Sequence, residues 1–232
     1  MNISLCRPVS RLAPRRALCF DSVRSIHHLN LIKEDKDIMK RIITVALLCG
    51  LPLTASLADD GDRQARIDNS KAVIQEFFGK LKGELETAMK AGGPVNAIEV
   101  CNRVAPGIAH DLSTTHNMSV ARTSLKTRNP NNAPDAWETA VLEKFEERKA
   151  AGENPDTIAF AEVVTNDSGE QEFRFMKAII MPPENKMPCL KCHGSAIAPE
   201  VAAKLDALYP DDQARGYKAG DVRGAFTLRQ RM

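Results

Sequence analysis

The 232-residue sequence contains no internal repeat and no low-complexity linker, which excludes repeat arrays and leaves one folded domain as the expected organisation. Its apolar run at residues 42–53 is shorter than the roughly 20 residues that cross a bilayer, so a membrane anchor is the less favoured interpretation of that run. No group of residues has the pattern of a catalytic centre, and no enzymatic activity is therefore expected.

The N-terminal segment has the pattern of a secretory leader. Lys40 and Arg41 form a short positive region before the apolar run, and small residues precede and include Ala58, at the positions that a signal peptidase reads. We therefore predict a signal peptide at residues 39–58 and export to the periplasm. Residues 1–38 are expected to come from a start codon assigned too early, with an arginine-rich transit peptide as the alternative.

The leader carries the positive charge of the chain. Residues 1–58 hold nine of the 32 basic and four of the 30 acidic residues, which leaves 23 basic and 26 acidic residues in the predicted mature domain, residues 59–232. Its formal net charge is about −3. A basic surface that would bind nucleic acid is therefore not expected.

The spacing of apolar residues predicts an α+β fold with a long N-terminal helix. Gly92 and Gly93 end that helix, and Pro106 is expected to bend or end the next one. Later segments are rich in β-forming residues and are separated by turn signals, which favours an antiparallel sheet with flanking helices. The predicted helices are 66–90, 95–104, 134–148 and 199–208, and the predicted strands are 157–164, 172–180 and 223–229.

The strongest chemical signal is Cys189-Leu190-Lys191-Cys192-His193. Two thiols spaced by two residues can each add across one vinyl group of a haem, and the adjacent His193 can then ligate the iron. A zinc site would need a second pair of ligands, which the mature segment lacks. A thioredoxin-like dithiol would need a βαβ context, which is also missing. Covalent haem is therefore the preferred interpretation.

The second axial ligand stays open on spacing alone. Cys101 shares an apolar helix face with Ile98 and Ala105, and a buried structural cysteine explains that pattern better than an iron ligand does. Arg122 and Arg128 are candidate contacts for haem propionates, with a structural role in a loop as the alternative. The other candidate ligands are His110, His116, Met118, Met176, Met181 and Met187, and a vacant position is the last option.

Four further segments resemble one family. Residues 97–101, 122–125, 128–132 and 216–225, in the same order around the Cys-x-x-Cys-His motif, resemble an exported c-type haem family that also occurs as the sensory domain of some bacterial signalling proteins. The resemblance implies a PAS-like antiparallel sheet with flanking helices. It also implies one covalent haem per chain, with His193 and Cys101 as the two axial ligands.

The implied ligand pair leads to a functional expectation. A thiolate donates negative charge to the iron and lowers its potential, and two axial ligands leave no open position for oxygen chemistry. We therefore expect a redox or small-gas sensing module, with a low-potential electron-transfer cytochrome as the alternative. The expected partner is a redox or signalling protein. Two copies of the chain could also form a homodimer. No nucleic acid and no membrane span after signal cleavage are expected.

Overall fold

The computed structural model describes the backbone of residues 54–232 and the side chains from residue 60 onward. The predictions for residues 1–38, and for the signal peptide as far as residue 53, lie outside the described residues. Within the described part, none of the helices is both long enough and apolar enough to cross a membrane.

Two helices precede the first strand, and further helices lie between the strands of one four-stranded antiparallel sheet, so the predicted α+β class is confirmed. Short 3-10 turns at Pro130–Asn132 and Pro155–Thr157 connect some of the elements. The helices are α1 (Thr54–Glu99), α2 (Ala105–His116), α3 (Ala136–Ala150), α4 (Leu190–His193) and α5 (Pro199–Leu208), and the strands are β1 (Ser119–Thr123), β2 (Ala159–Thr165), β3 (Gln171–Ile180) and β4 (Val222–Arg231).

The predicted break in the first helix is confirmed at two glycines. Gly92 has φ −158° and ψ 20°, and Gly93 has φ 68° and ψ −164°, so α1 is two helices joined by a kink. Gly93 lies at a positive φ that residues with a Cβ rarely adopt. Pro94 opens the second half, where a missing backbone N–H costs nothing.

The prediction that the next helix ends near Val104 is wrong. The chain passes through a π-helical turn, Val100–Val104, and continues as α2 to His116. The N–H of Ala105 donates to the carbonyl of Val100, five residues earlier. Pro106 has no N–H to give to the preceding turn, and its ring crowds the carbonyl four residues earlier. The wider turn accommodates that ring, so the helix continues beyond the proline.

All strand pairs are antiparallel, in the order β1-β4-β3-β2. Strand β1 is missing from the sequence prediction because its segment is short and mixes polar with apolar residues. It pairs with β4 from Ser119 opposite Arg229 to Thr123 opposite Ala225. The sheet therefore joins segments that lie about a hundred residues apart.

Both faces of the sheet are covered by helices. Alternate side chains of β3 point to opposite faces, so Phe173 and Phe175 pack with Phe77 of α1 and with α2, while Met176 packs with Phe145 of α3. Each of these four phenylalanines is at most 2% exposed. The result is a helix–sheet–helix sandwich. The break in α1 lies beside the end of the sheet at which β1 and β3 end and β4 begins.

Candidate functional site

A cleft at this end of the sheet brings together the residues predicted to attach the haem and to ligate its iron. Cys101, Cys189, Cys192 and His193 all line it, although Cys101 lies far from the other three in the chain. The cavity inside the cleft has a volume of about 260 Å³ and is open to solvent at its mouth. Most of the remaining wall is apolar and comes from α1, such as Leu81, and from the ends of β1, β3 and α5. The mainly apolar lining suits a mainly apolar cofactor.

The Cys-x-x-Cys-His motif begins in a turn at Cys189 and continues as the short helix α4. The N–H of His193 donates to the carbonyl of Cys189 at 3.0 Å, which brings both cysteines and the histidine onto one helical turn. Gly194 follows at once, and a Cβ there would lie 2.6 Å from the carbonyl oxygen of Leu190. The motif therefore needs glycine as its next residue.

His193 is held with one ring nitrogen bonded and the other open. Its Nδ1 lies 2.9 Å from the carbonyl oxygen of Ala214, and its Nε2 has no hydrogen-bond partner in the described part of the chain. Burial, followed by the nearby positive charges of Arg128 and Arg223, sets the pKa of His193 well below its usual value. The imidazole is therefore neutral. A proton on Nδ1 that is shared with Ala214 leaves Nε2 as a metal ligand.

Cys101 lies in the π-helical turn. Such turns interrupt regular helices and are frequent at functional sites. Arg122 and Tyr209 lie close enough to the sulfur to interact with it electrostatically, and both line the same cleft. The spacing of Ile98 and Ala105 had suggested an apolar core position for Cys101, but its half-buried side chain faces the cleft.

The thiols of the motif are not arranged like a redox dithiol or a zinc site. Cys189 and Cys192 are unbridged, and burial followed by the neighbouring cysteines raises the pKa of Cys189 to about 11. Reactive dithiols have a lowered pKa. No group of three or more metal-ligating side chains is found between residues 60 and 232, so the zinc alternative gains no support.

Arg128 holds the motif in place. Its Nε donates to Asp212 at 3.0 Å, and its Nη2 donates to the carbonyls of Cys192 at 2.6 Å and Ala214 at 3.2 Å. Both partners of the ion pair are almost fully buried, with side chains 8% and 2% exposed. These contacts give Arg128 a structural role, and its contact with a propionate stays a prediction.

Arg122 differs from Arg128 although both come from the same segment. It makes no salt bridge within the described residues, and its guanidinium lies over the Phe77 ring, 5.4 Å from the ring centre. Burial lowers its pKa, and the nearby Cys101 opposes that effect. Arg122 therefore presents a positive charge to the cleft without a carboxylate partner.

Sequence reasoning missed Arg223. Its Nε lies 3.3 Å from Nδ1 of His193, and its Nη1 donates to Oγ of Ser124 at 2.8 Å. The residue belongs to the 216–225 segment that resembles the haem family, but a single charged residue at the start of a strand carries no signal of its own. The direction of the Arg223 side chain follows only from how β3 pairs with β4.

Two of the other candidate ligands share the cleft. Met181 and Met187 line it. His116 is bound to Glu76 at 3.1 Å on the surface, and His110 is exposed. Met118 and Met176 belong to the two apolar cores on either side of the sheet.

The family follows from comparison with known proteins. A model of the Tll0287-like family matches residues 28–230. The chain belongs to the Tll0287-like family. Its fold is similar to the crystal structure of the cyanobacterial heme-protein Tll0287, with a TM-score of 0.54 and 22% sequence identity, over 72% of this chain and 96% of the other. The resemblance to a haem-protein family is thereby confirmed. A search of curated proteins gives no match.

Proposed function

We propose that the chain is a c-type haem protein in which Cys189 and Cys192 hold the haem covalently and His193 and Cys101 ligate its iron. The observation that carries this proposal is the convergence of these four side chains on one cleft. A haem bound there supplies one-electron redox chemistry and an iron centre for small ligands. Membership of the Tll0287-like family and the heme-protein of similar fold support the proposal.

The residues of the cleft fit such a group. The thiols of Cys189 and Cys192 are free, and the short helix presents them beside His193. The Nε2 of His193 is the ring nitrogen left for iron, because Ala214 accepts the proton of Nδ1 at 2.9 Å. The unpaired guanidinium of Arg122 lies near Cys101 and is a counter-charge for a thiolate or for a propionate.

The two proposed ligands are held by different local structure, which favours a sensor over a carrier. His193 is fixed by its own backbone hydrogen bonds and by the Arg128 network around the motif. Cys101 lies on a π-helical turn that departs from regular helix geometry. If iron were bound between the two residues, Cys101 would be the ligand more readily released on reduction, because it lies on the less regular element. We therefore propose a redox or small-gas sensing module, acting in the periplasm on a redox or signalling protein.

The test is the visible spectrum of protein made in cells with the c-type maturation machinery. Wild type should show covalent haem and a ferric thiolate band, and Cys101→Ala should lose the band but keep the haem. Met187→Leu is the matched control, because Met187 lines the same cleft and should leave the band unchanged. Cys189→Ala and Cys192→Ala should each lose one thioether bond.

Three outcomes would count against the proposal. Wild type without covalent haem would refute the whole assignment. A thiolate band that survives in Cys101→Ala would remove Cys101 as a ligand. If reduced wild type fails to bind carbon monoxide while keeping both ligands, the sensor is excluded and the low-potential electron carrier takes its place.

A further inference from the structure

Arg223 contacts His193 but takes no part in the proposed attachment or ligation. Its Nε lies 3.3 Å from Nδ1 of His193, and its Nη1 donates to Ser124 at 2.8 Å and to the carbonyl of Lys126 at 3.2 Å. Its guanidinium also lies over the Tyr217 ring, 5.4 Å from the ring centre. Arg223 is therefore held against the imidazole from several sides.

The backbone of β4 is built to aim Arg223 there. Ile179 pairs with Gly224 and Ile180 pairs with Val222, so Arg223 is the extra residue of a β-bulge. Bulges redirect a side chain out of the regular alternation. Gly224 has φ 154°, and a Cβ there would lie only 2.2 Å from the carbonyl oxygen of Thr123. Glycine is therefore required immediately after the bulged residue.

Arg223 brings to His193 a positive charge that has no salt-bridge partner among the described residues. Burial lowers the pKa of Arg223. A guanidinium nevertheless stays protonated in proteins. The charge therefore acts on the imidazole at any pH at which the chain is folded.

A single ring nitrogen cannot donate and accept at the same time. Ligation of iron through Nε2 places the proton of His193 on Nδ1, and the carbonyl of Ala214 is the closer acceptor, at 2.9 Å. Nδ1 then offers no lone pair to Arg223. In the ligated chain Arg223 therefore acts on His193 through its charge and its packing.

We propose, on the basis of the haem function above, that Arg223 is a positioning residue that orients His193 and raises the reduction potential of the iron. Reduction adds one electron, supplied by a mediator or a redox partner, and removes one unit of positive charge from the iron. A nearby cation favours the less positive ferrous state. Arg223 thus opposes the lowering of the potential by the thiolate of Cys101.

The test is a mediated redox titration of the haem-loaded protein and three variants. Arg223→Gln should shift the equilibrium about tenfold towards ferric iron, a potential lower by about 59 mV for one electron. Arg223→Lys keeps the positive charge, so its potential should lie close to that of wild type. Lys126→Gln is the matched control, because its Nζ lies 5.2 Å from the centre of the same Tyr217 ring but is exposed. Its potential should equal that of wild type.

Each alternative result is informative. A wild-type potential in Arg223→Gln, with the thiolate spectrum intact, would overturn the inference and leave the haem assignment standing. Equal shifts in Arg223→Gln and Lys126→Gln, or in Arg223→Gln and Arg223→Lys, would also overturn it. If Arg223→Gln does not fold, Gly224→Ala takes its place, because a Cβ against the carbonyl of Thr123 moves the guanidinium away from His193, and an unchanged potential there would overturn the inference. Wild type without covalent haem refutes the function itself before any variant is measured.

Discussion

The arginines that face α3 form salt bridges with acidic residues, whereas two arginines of the cleft do not. Arg174 of β3 donates to Asp135 at 2.6 Å and to Glu138 at 3.1 Å, and it lies 4.2 Å from the centre of the Trp137 ring. Arg122 and Arg223 have no acidic partner within residues 60–232, although both are partly buried. The face of the sheet that packs against α3 therefore carries an arginine neutralised by acidic residues, whereas the end of the sheet at the cleft carries two arginines without salt bridges.

The difference separates a structural role from a binding role. A buried charge with its partners in place holds elements together, whereas an uncompensated one costs stability. We infer that the unpaired cations at the cleft are there for a charge that arrives from outside the chain or forms within the site. The paired cations need no such complement. This contrast predicts which substitutions change stability and which change the spectrum.

The largest expected effect comes from the paired side. Arg174→Ala leaves Glu138, whose side chain is 4% exposed, without its buried cation, and should lower the free energy of unfolding by about 3–5 kcal/mol. Urea titration followed by circular dichroism measures it, and the haem spectrum of the folded protein should not change. Lys80→Ala, which breaks an exposed pair with Glu76, is the control and should cost at most about 1 kcal/mol. Equal losses in the two variants would contradict the comparison.

The Arg128–Asp212 pair extends the comparison to the motif itself. Burial would raise the pKa of Asp212, but hydrogen bonds from Arg128 and Arg215 outweigh it and the pKa is lowered. The stability from this carboxylate is therefore present above the unfolded value, about 4, and is lost as the pH falls through the lower folded value. Asp212→Asn should cost about 1.5–3 kcal/mol at neutral pH.

Melting temperatures between pH 3 and pH 7 provide the measurement for that pair. Asp212→Asn should show a smaller fall in melting temperature below pH 4 than wild type does. Asp211→Asn, one residue earlier, makes none of these hydrogen bonds in the described structure and serves as the control. Parallel acid limbs in wild type and Asp212→Asn would show that this carboxylate contributes no acid sensitivity.

Local sequence signals explain which parts of the fold could be predicted. Each of the three predicted strands agrees with the structure within two residues at both ends, because alternation and turn residues define them. The largest differences, of two residues, are at the start of β2 and at the end of the last strand, which continues to Arg231. Strand β1 could not be predicted, because its burial depends on pairing with β4 at the far end of the chain.

The site was predictable in its motif and unpredictable in its surroundings. The spacing of Cys189, Cys192 and His193 is enough to predict a haem-attachment motif. Arg122 and Arg128 look alike in sequence, and only Asp212, 84 residues away from Arg128, distinguishes the paired from the unpaired arginine. Arg223 was hidden for the same reason, since a β-bulge follows from register and not from composition.

Gly224 tests whether the aim of Arg223 depends on the bulge. Gly224→Ala places a Cβ against the carbonyl of Thr123 and should cost about 1–3 kcal/mol. It should also lower the reduction potential in the same direction as Arg223→Gln, because the guanidinium moves away from His193. Gly79→Ala has no neighbour within 4 Å in α1 and is the control, expected to stabilise by about 0.5–1 kcal/mol. An unchanged potential in Gly224→Ala would mean that the bulge does not aim the side chain.

The smallest change in stability is expected at Arg122, together with a clear change in the spectrum. Arg122→Gln removes a charge that has no acidic partner, so the free energy of unfolding should change by less than about 1 kcal/mol. The proposed thiolate of Cys101 loses its nearby cation, so its ferric thiolate band should be weaker than in wild type. Arg103→Gln is the control, because Arg103 lies on the same turn as Cys101 but its side chain is 82% exposed. A large loss of stability with an unchanged ferric band would reverse the assignment and make Arg122 a structural residue, like Arg174.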